Sequence, residues 1–287
     1  MKTYLDCIPC FFKQALDASR LAGADEITQK EIIDEVSELI PNFPLDSTPP
    51  AMARIIYGII EKKTQKPDPF EQIKDKSNRL ALSFYPKLKK KIKKSKDKLL
   101  TAVEIAIAGN VIDYGIKSSL NIEEEIDKLF KENFKKADKK IFDYEHFNKD
   151  VRNAKKILYL ADNAGEVVFD KILMEELNTL GKHIIYAVRS KPAINDALMQ
   201  DAIACGIEKI AQVIPSGSDA PGTILKYCSK EFLKLYKKAK LIISKGQGNY
   251  ETLSEAGKPI YFLFKVKCPV IAAHLGCKLG SMVLKKL

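Results

Sequence analysis

Up to about residue 150 the apolar positions recur every three or four residues, the period of a helix buried on one face. Ile32, Ile33, Val36, Leu39 and Ile40 form one such stripe, and Thr28 with Glu31 ahead of it has the spacing of a capping box. The proline-rich stretch 42–50 breaks the pattern, which can restart at Ala51. A longer charged helix is expected after Pro69, with Pro86 kinking or ending it. Asn121 and Glu124 repeat the capping-box spacing before Ile126, Leu129 and Phe130. No strand is expected in this part.

After residue 150 the pattern changes to short apolar, β-branched runs separated by helical spacing. The runs are 156–160, 183–188, 210–214, 241–243 and 260–264. They are nearly continuously apolar, as strands buried on both faces must be. Helical segments between such strands make a parallel sheet with right-handed crossovers the expected arrangement. The fold class read from the pattern is therefore α/β, with an all-helical domain over residues 1–150 and a Rossmann-like domain over 151–287.

Composition changes this picture little. Of 287 residues, 46% are hydrophobic and 30% charged, as in an ordinary folded protein. The longest apolar runs, such as 259–264, fall far short of the roughly 20 residues of a membrane helix. The opening MKTYLDCIPCFFKQ carries charge too early for a signal peptide, so the chain reads as soluble and cytoplasmic, with no membrane partner. Six cysteines are too sparse for a disulfide scaffold and point to free or metal-binding thiols. Cys7-Ile8-Pro9-Cys10 stands alone. A zinc site would need two more ligands, for which Cys268, His274 and Cys277 are candidates, and structural thiols are the simpler reading. The formal net charge is +11, and much of it sits in the lysine run 87–94. That run looks like a solvated helix face without aromatic residues for base stacking, which argues against nucleic acid. The remaining positive charge suits a small anionic substrate. The sequence carries no signal for an oligomeric state.

Ligands of open parallel sheets bind outside the carboxyl ends of the strands, so the residues after each run are the candidates. The first run leads into Asp162 and Asn163, hard oxygen donors suited to Mg²⁺ or Mn²⁺. Gly165 follows for a tight turn, and a helix starts near Glu166 whose N–H groups favour an anion. A plain turn capping that helix would carry the same residues. Only one glycine is present here, so a dinucleotide fingerprint is absent. The second run leads through Pro192, placed to start a helix, to Asp196 in its first turns. Asp196 either completes a metal site with Asp162 or complements the helix dipole. The third leads into Pro215-Ser216-Gly217-Ser218-Asp219-Ala220-Pro221-Gly222-Thr223, a phosphate cradle or a surface turn. After the fourth come Lys245, Gly246, Gln247, Gly248 and Asn249, where the lysine suits a phosphate and the amides a sugar hydroxyl. Lys265 and Lys267 close the fifth on one face, where either could reach the same anion.

The stretches Ala161-Asp162-Asn163-Ala164-Gly165-Glu166, 245–251 and Lys265-Val266-Lys267-Cys268 together resemble the damage-control phosphatases, long known as domain of unknown function 89. Cys7-x-x-Cys10, Asp68-Pro69-Phe70 and Ala108-Gly109-Asn110-Val111-Ile112-Asp113 resemble its short, stand-alone microbial branch. The resemblance covers nearly the whole chain. It implies a helical domain on a three-layer α/β/α Rossmann-like domain, and hydrolysis of phosphomonoesters supported by Mn²⁺, Ni²⁺, Co²⁺ or Mg²⁺. Its metal ligands match Asp162, Asn163 and Asp196. Its substrate-binding stretch matches residues 245–249, and its late lysine matches Lys267 or Lys265, where Lys-Val-Lys-Cys stands in place of the Arg-Thr-x-Lys of another branch. Small phosphorylated metabolites, among them sugar phosphates and damaged or surplus nucleotides, are the implied substrates.

The expected arrangement places one cation on Asp162, Asn163 and Asp196. Lys245, Lys267 and N–H groups near Gly165 then neutralise the phosphate, and Asp162 or Asp196 orients the attacking water. Asn110 and Asp113 would help close the cleft. A Rossmann-like methyltransferase and a noncatalytic nucleotide-binding module are the alternatives.

Overall fold

The computed structural model describes residues 1–109 and 138–287. Asn110, Asp113 and the Asn121–Glu124 capping box lie outside the described residues. Three helices come first: α1 (Cys7–Leu21), α2 (Glu26–Leu39) and α3 (Pro49–Thr64). Their apolar stripes close on a core of their own, with Phe11, Ala15, Ile32, Val36, Met52, Ile56 and Ile60 at its centre. The cap of α2 is Asp25, whose carboxylate accepts from the Thr28 N–H at 2.8 Å, so the helix starts earlier than the Thr28–Glu31 spacing suggests. Helix α3 likewise starts at Pro49, not Ala51, because proline is accommodated in a first turn that needs no N–H.

Helix α4 (Glu71–Lys94) runs through Pro86. Of the two expectations for Pro86, an end of the helix does not occur: α4 continues two further turns past it, with the proline ring on the exposed side. Leu88 and Ile92 bury the inner face of the lysine run, and its outer lysines are exposed, as a solvated face requires. Helices α5 (Lys98–Ala108) and α6 (Tyr144–Asn153) lead to the sheet.

The sheet comprises β1 (Lys156–Leu160), β2 (His183–Val188), β3 (Gln212–Pro215), β4 (Ile242–Lys245), β5 (Ile260–Lys265) and β6 (Met282–Lys286). Its order is β3-β2-β1-β4-β5-β6, with β1 to β5 parallel and β6 antiparallel at the edge. Alternate residues serve opposite faces. Ile157, Tyr159, Ile184, Tyr186, Ile243 and Tyr261 share one core with α4, α5, α6 and α7 (Glu166–Thr179). Leu158, Leu160, Ile185, Ile242 and Phe262 pack the other way, against Phe232 and Tyr236 of α9 (Lys230–Lys238) and Tyr250 of α10 (Gln247–Leu253). Two short helices, α8 (Met199–Ala204) and α11 (Pro269–Leu275), complete the set used below. The result is the mixed α/β, mostly parallel, three-layer arrangement expected. Among the described residues no helix is long and apolar enough to cross a membrane.

The strand order reverses between β1 and β4. Their connections leave toward opposite faces and open a crevice at their carboxyl ends, the place where such sheets bind ligands.

Candidate active site

Asp162 and Asn163 leave β1 directly into this crevice. The chain after β2 is not helical at Asp196: residues 189–198 form a loop, and α8 starts only at Met199. Asp196 therefore does not sit in a helix's first turns, which removes the dipole explanation for it. Instead Asn163 and Asp196 face each other across a short antiparallel bridge, closed by Ala197 N–H to the Asp162 carbonyl at 2.7 Å and Ala164 N–H to the Asn195 carbonyl at 2.8 Å. Within that loop Ile194 has φ +51, a left-handed conformation costly for a β-branched residue, held by packing on the core of α1 to α3.

The three expected donors are thus neighbours, and all are buried: Asp162, Asn163 and Asp196 are 7%, 5% and 3% exposed. Gly246 makes room for the first of them. Its φ is +81, and a Cβ there would overlap the carboxylate of Asp162 outright. Burial raises the Asp162 carboxyl well above the usual range, and the charges of Glu166 and Asp196 raise it further against the pull of Lys267 and Arg189. Burial raises Asp196 as well, opposed by Arg189.

Arg189, just after β2, was not among the expected residues. Its Nε donates to Asp196 Oδ2 at 2.7 Å, and its remaining nitrogens donate to Thr223, Asn249 and the Ala161 carbonyl. Gly222 N–H also reaches Asp196 Oδ2, at 3.3 Å. Among the described residues Asp196 Oδ1 accepts nothing, so one oxygen is fixed by protein and the other faces the cleft. Asn249 is saturated: Nδ2 donates to the carbonyls of Ala161 and Lys245, and Oδ1 accepts from Arg189 and Thr223. It clasps three strand ends together and has no amide valence left for a sugar hydroxyl.

Lys245 is also differently placed than a phosphate-binding lysine would be. Its side chain is fully buried, with Nζ 2.7 Å from Asp170 Oδ1 and 3.1 Å from Glu166 Oε2. Burial alone would lower its pKa, but the charges of Asp170 and Glu166 outweigh that and raise it. Asp170 escaped the sequence reading. The available signal was its place one turn after Glu166, which puts two acids on one face of the helix with Val167, Val168 and Phe169 between them. Glu166 accepts from Asn163 Nδ2 at 2.9 Å, so its carboxylate faces inward to protein partners.

The N–H of Gly165 is taken as well. It donates to Asn78 Oδ1 of α4 at 2.7 Å, while Asn78 Nδ2 donates to Asp201 Oδ1 at 2.7 Å. In the loop after β3 the N–H groups of Ser216, Gly217, Ser218, Ala220, Gly222 and Thr223 all have protein acceptors, so that loop is stitched into the fold and does not form an open phosphate cradle. Arg54 of α3 holds it from outside through a forked pair with Asp219 at 2.6 and 2.7 Å.

Of the later residues, Lys267 is half-buried and its charge acts on Asp162. Its N–H donates to Gln247 Oε1 at 3.1 Å, and Gln247 Nε2 donates to Glu251 and Cys268. Lys265 ends β5 and lies along Gly280, and Gly248 lies against Gly222. All six cysteines are free, Cys7 buried and Cys10 exposed, and among the described residues no three His, Cys, Asp or Glu side chains are grouped to hold a metal. The donor set at the crevice is two carboxylates and one amide oxygen.

The profile of the damage-control phosphatase ARMT1-like domain matches residues 3–283. A protein of Methanocaldococcus jannaschii is 38% identical, over 98% of this chain and 94% of its own. A damage-control phosphatase of Pyrococcus horikoshii is 35% identical, over 99% of this chain and 97% of its own. The crystal structure of a domain-of-unknown-function-89 protein from Pyrococcus horikoshii superposes with a TM-score of 0.88 at 32% identity, covering 100% of this chain and 99% of that one.

Proposed function

This chain belongs to the ARMT1-like damage-control phosphatases and is a phosphatase, and on that premise we propose that it hydrolyses small phosphomonoesters of damaged or surplus metabolites with one divalent cation. One observation supports the cation above all. The crevice buries four carboxylates, on Asp162, Glu166, Asp170 and Asp196, against two equally buried cations, Arg189 and Lys245. Lys267, half-buried, adds its charge at Asp162, and among the described residues the carboxylates of the crevice still outnumber its cations; negative charge held away from water is expensive, and a divalent cation would balance it. The donors are hard oxygens, which suit Mg²⁺ or Mn²⁺ and accept Ni²⁺ or Co²⁺.

Asp162, Asn163 and Asp196 would hold that cation, the last through Oδ1. When bound, it would polarise the phosphoryl group and acidify a water molecule. The protein's own groups do the rest. Arg189 and Gly222 hold the Asp196 carboxylate in one orientation. Lys267 supplies the positive charge at the mouth that draws and neutralises a phosphate. Asp162 or Asp196 accepts a hydrogen bond from the attacking water and directs it in line with the leaving oxygen. Lys245 acts from below the site and does not touch the substrate. Nucleotides and sugar phosphates are the substrates to test first.

The test is phosphate release from p-nitrophenyl phosphate by protein stripped with EDTA and reloaded with each metal. Activity should vanish on stripping, return on reloading, and fall at least a hundredfold in Asp162→Ala. Lys267→Ala should raise KM more than it lowers kcat. Full activity in Asp162→Ala would overturn the assignment.

A further inference from the structure

The amide of Asn163 can face the cleft with either end. An oxygen there is a cation ligand, whereas an NH₂ group repels a cation. The surroundings choose. Nδ2 lies 2.9 Å from Glu166 Oε1 and 3.1 Å from Asp162 Oδ2, two acceptors that accommodate a donor and reject an oxygen. Among the described residues Oδ1 accepts nothing, so it is the end left for a ligand.

Glu166 is itself fastened. Its Oε2 takes the Lys245 ammonium at 3.1 Å, and Lys245 is anchored in turn on Asp170 Oδ1 at 2.7 Å. Asp170 is braced from two strands by Tyr159 at 2.8 Å and Tyr186 at 3.0 Å. Every member of this chain is fully buried. The two acids on the first turns of α7 would repel each other, and the ammonium between them turns that repulsion into a clamp.

We propose that Glu166 is a positioning residue: it fixes the Asn163 amide with its oxygen toward the cleft, and Lys245, Asp170, Tyr159 and Tyr186 hold Glu166 to that task. The inference rests on Asn163 serving as a cation ligand. It also gives Lys245 a role that needs no contact with substrate.

The test uses the symmetry of a carboxylate, which has no wrong way round. Glu166 presents an acceptor to both Asn163 Nδ2 and Lys245 Nζ. Glu166→Gln offers one acceptor and one donor; the charged Lys245 ammonium takes the oxygen, so the NH₂ meets Asn163 Nδ2 donor to donor and the Asn163 amide is released. Mn²⁺ affinity, measured by calorimetry on the metal-free protein, should fall tenfold or more in Glu166→Gln, the range seen when groups behind metal ligands are removed. In an Asn163→Asp background the same change should cost threefold or less, because a carboxylate at that position offers an oxygen in either orientation and the introduced amide can donate to it. An equal loss in both backgrounds means Glu166 is merely structural and overturns the proposal. Should Glu166→Gln fail to fold, Tyr159→Phe with Tyr186→Phe loosens the same brace without altering charge. That pair should weaken Mn²⁺ binding severalfold in the parent protein and not in the Asn163→Asp background, and no difference between backgrounds again overturns the proposal. Asp162→Ala separates the two levels. If it leaves Mn²⁺ affinity intact, the cation site itself is misplaced. If it abolishes binding while Glu166→Gln does not weaken it, only the positioning role falls.

Discussion

Gly246 is the position where the smallest change should do the most damage. Its backbone stands at φ +81, ψ 160, a region occupied essentially by glycine alone. A methyl group there meets two penalties of different kinds. The backbone strain is of order 1–3 kcal/mol. The second is steric, because the Cβ would occupy the space of the Asp162 carboxylate, so either β4's exit or Asp162 must shift. Gly181 separates the two, since it has φ +72 and nothing within 4 Å of a Cβ. Gly181→Ala should lower stability by about 1–2 kcal/mol, as left-handed strain does, and leave turnover unchanged. Gly246→Ala should lower stability by at least as much and cut phosphate release about a hundredfold, the effect of a displacement near 1 Å in a catalytic group. Urea denaturation gives the first quantity, and steady-state kinetics with Mn²⁺ calorimetry gives the second. If Gly246→Ala keeps its activity within threefold of the parent and binds Mn²⁺ unchanged, the placement of Asp162 against Gly246 is not what organises the site.

Other consequences are testable on the same protein. Lys245→Met takes away the buried ammonium that Glu166 and Asp170 share, and should destabilise the fold by about 3–5 kcal/mol; a loss below about 1 kcal/mol in urea would show that the two acids are relieved in another way. Asn78→Ala orphans the Gly165 N–H and takes a donor from Asp201 Oδ1, and should cost about 2–4 kcal/mol and loosen the start of α7, read as faster amide exchange at Gly165. Burial pushes the Glu251 carboxyl from 4.5 up to about 7, so the folded state holds a proton that the unfolded state has released. Stability should therefore be unpenalised below pH 4.5, fall as pH rises to 7, and stay lower above it. Glu251→Gln should raise the melting temperature at about pH 8 and not at about pH 4.5, and an equal shift at both would contradict this.

The sheet was legible because its physics is local. Strands covered on both faces must be apolar at nearly every position, as β1, β2, β4 and β5 are, and the remaining run announced β3 although that strand lies at the edge and is half-exposed. Strand β6 was not legible, because its sequence, Met-Val-Leu-Lys-Lys, has only three apolar residues before two half-buried lysines. Pro86 does not end α4, because Leu88 and Ile92 beyond it are anchored in the core, which is a tertiary fact. At the site, the strand-end rule offered Asp162 and Asn163 and left Asp196 open, and the family resemblance joined the three from two separate stretches of chain. It could not say which polar groups would be consumed by the protein itself. Asn249, Lys245, the Gly165 N–H and the loop after β3 all carry ligand-like chemistry, and all are spent on protein partners. Asn78 was invisible from sequence because its partner, Gly165, lies 87 residues away.

That consumption bears on how the crevice works. An exposed polar loop would reorganise around each ligand, and reorganisation costs catalysis what prior alignment would have supplied. Here all three Arg189 nitrogens are committed, to Asp196, Thr223, Asn249 and Ala161, and Asn249 returns bonds to the ends of β1 and β4. The helical layer adds its own restraints, through Asn78 on the start of α7, Arg54 on the loop after β3, and the packing that holds Ile194 at φ +51 beside Asp196. Oδ1 of Asn163 and Oδ1 of Asp196 are left without protein partners among the described residues, on side chains that cannot turn away. On the proposed reading, their value as ligands comes less from being conspicuous oxygen donors, of which the loops contain many, than from belonging to groups whose other ends are committed. Fixing donors in this way places four carboxylates, on Asp162, Asp196, Glu166 and Asp170, in the buried crevice among the described residues, and the cation proposed above is the complement that such a set would take.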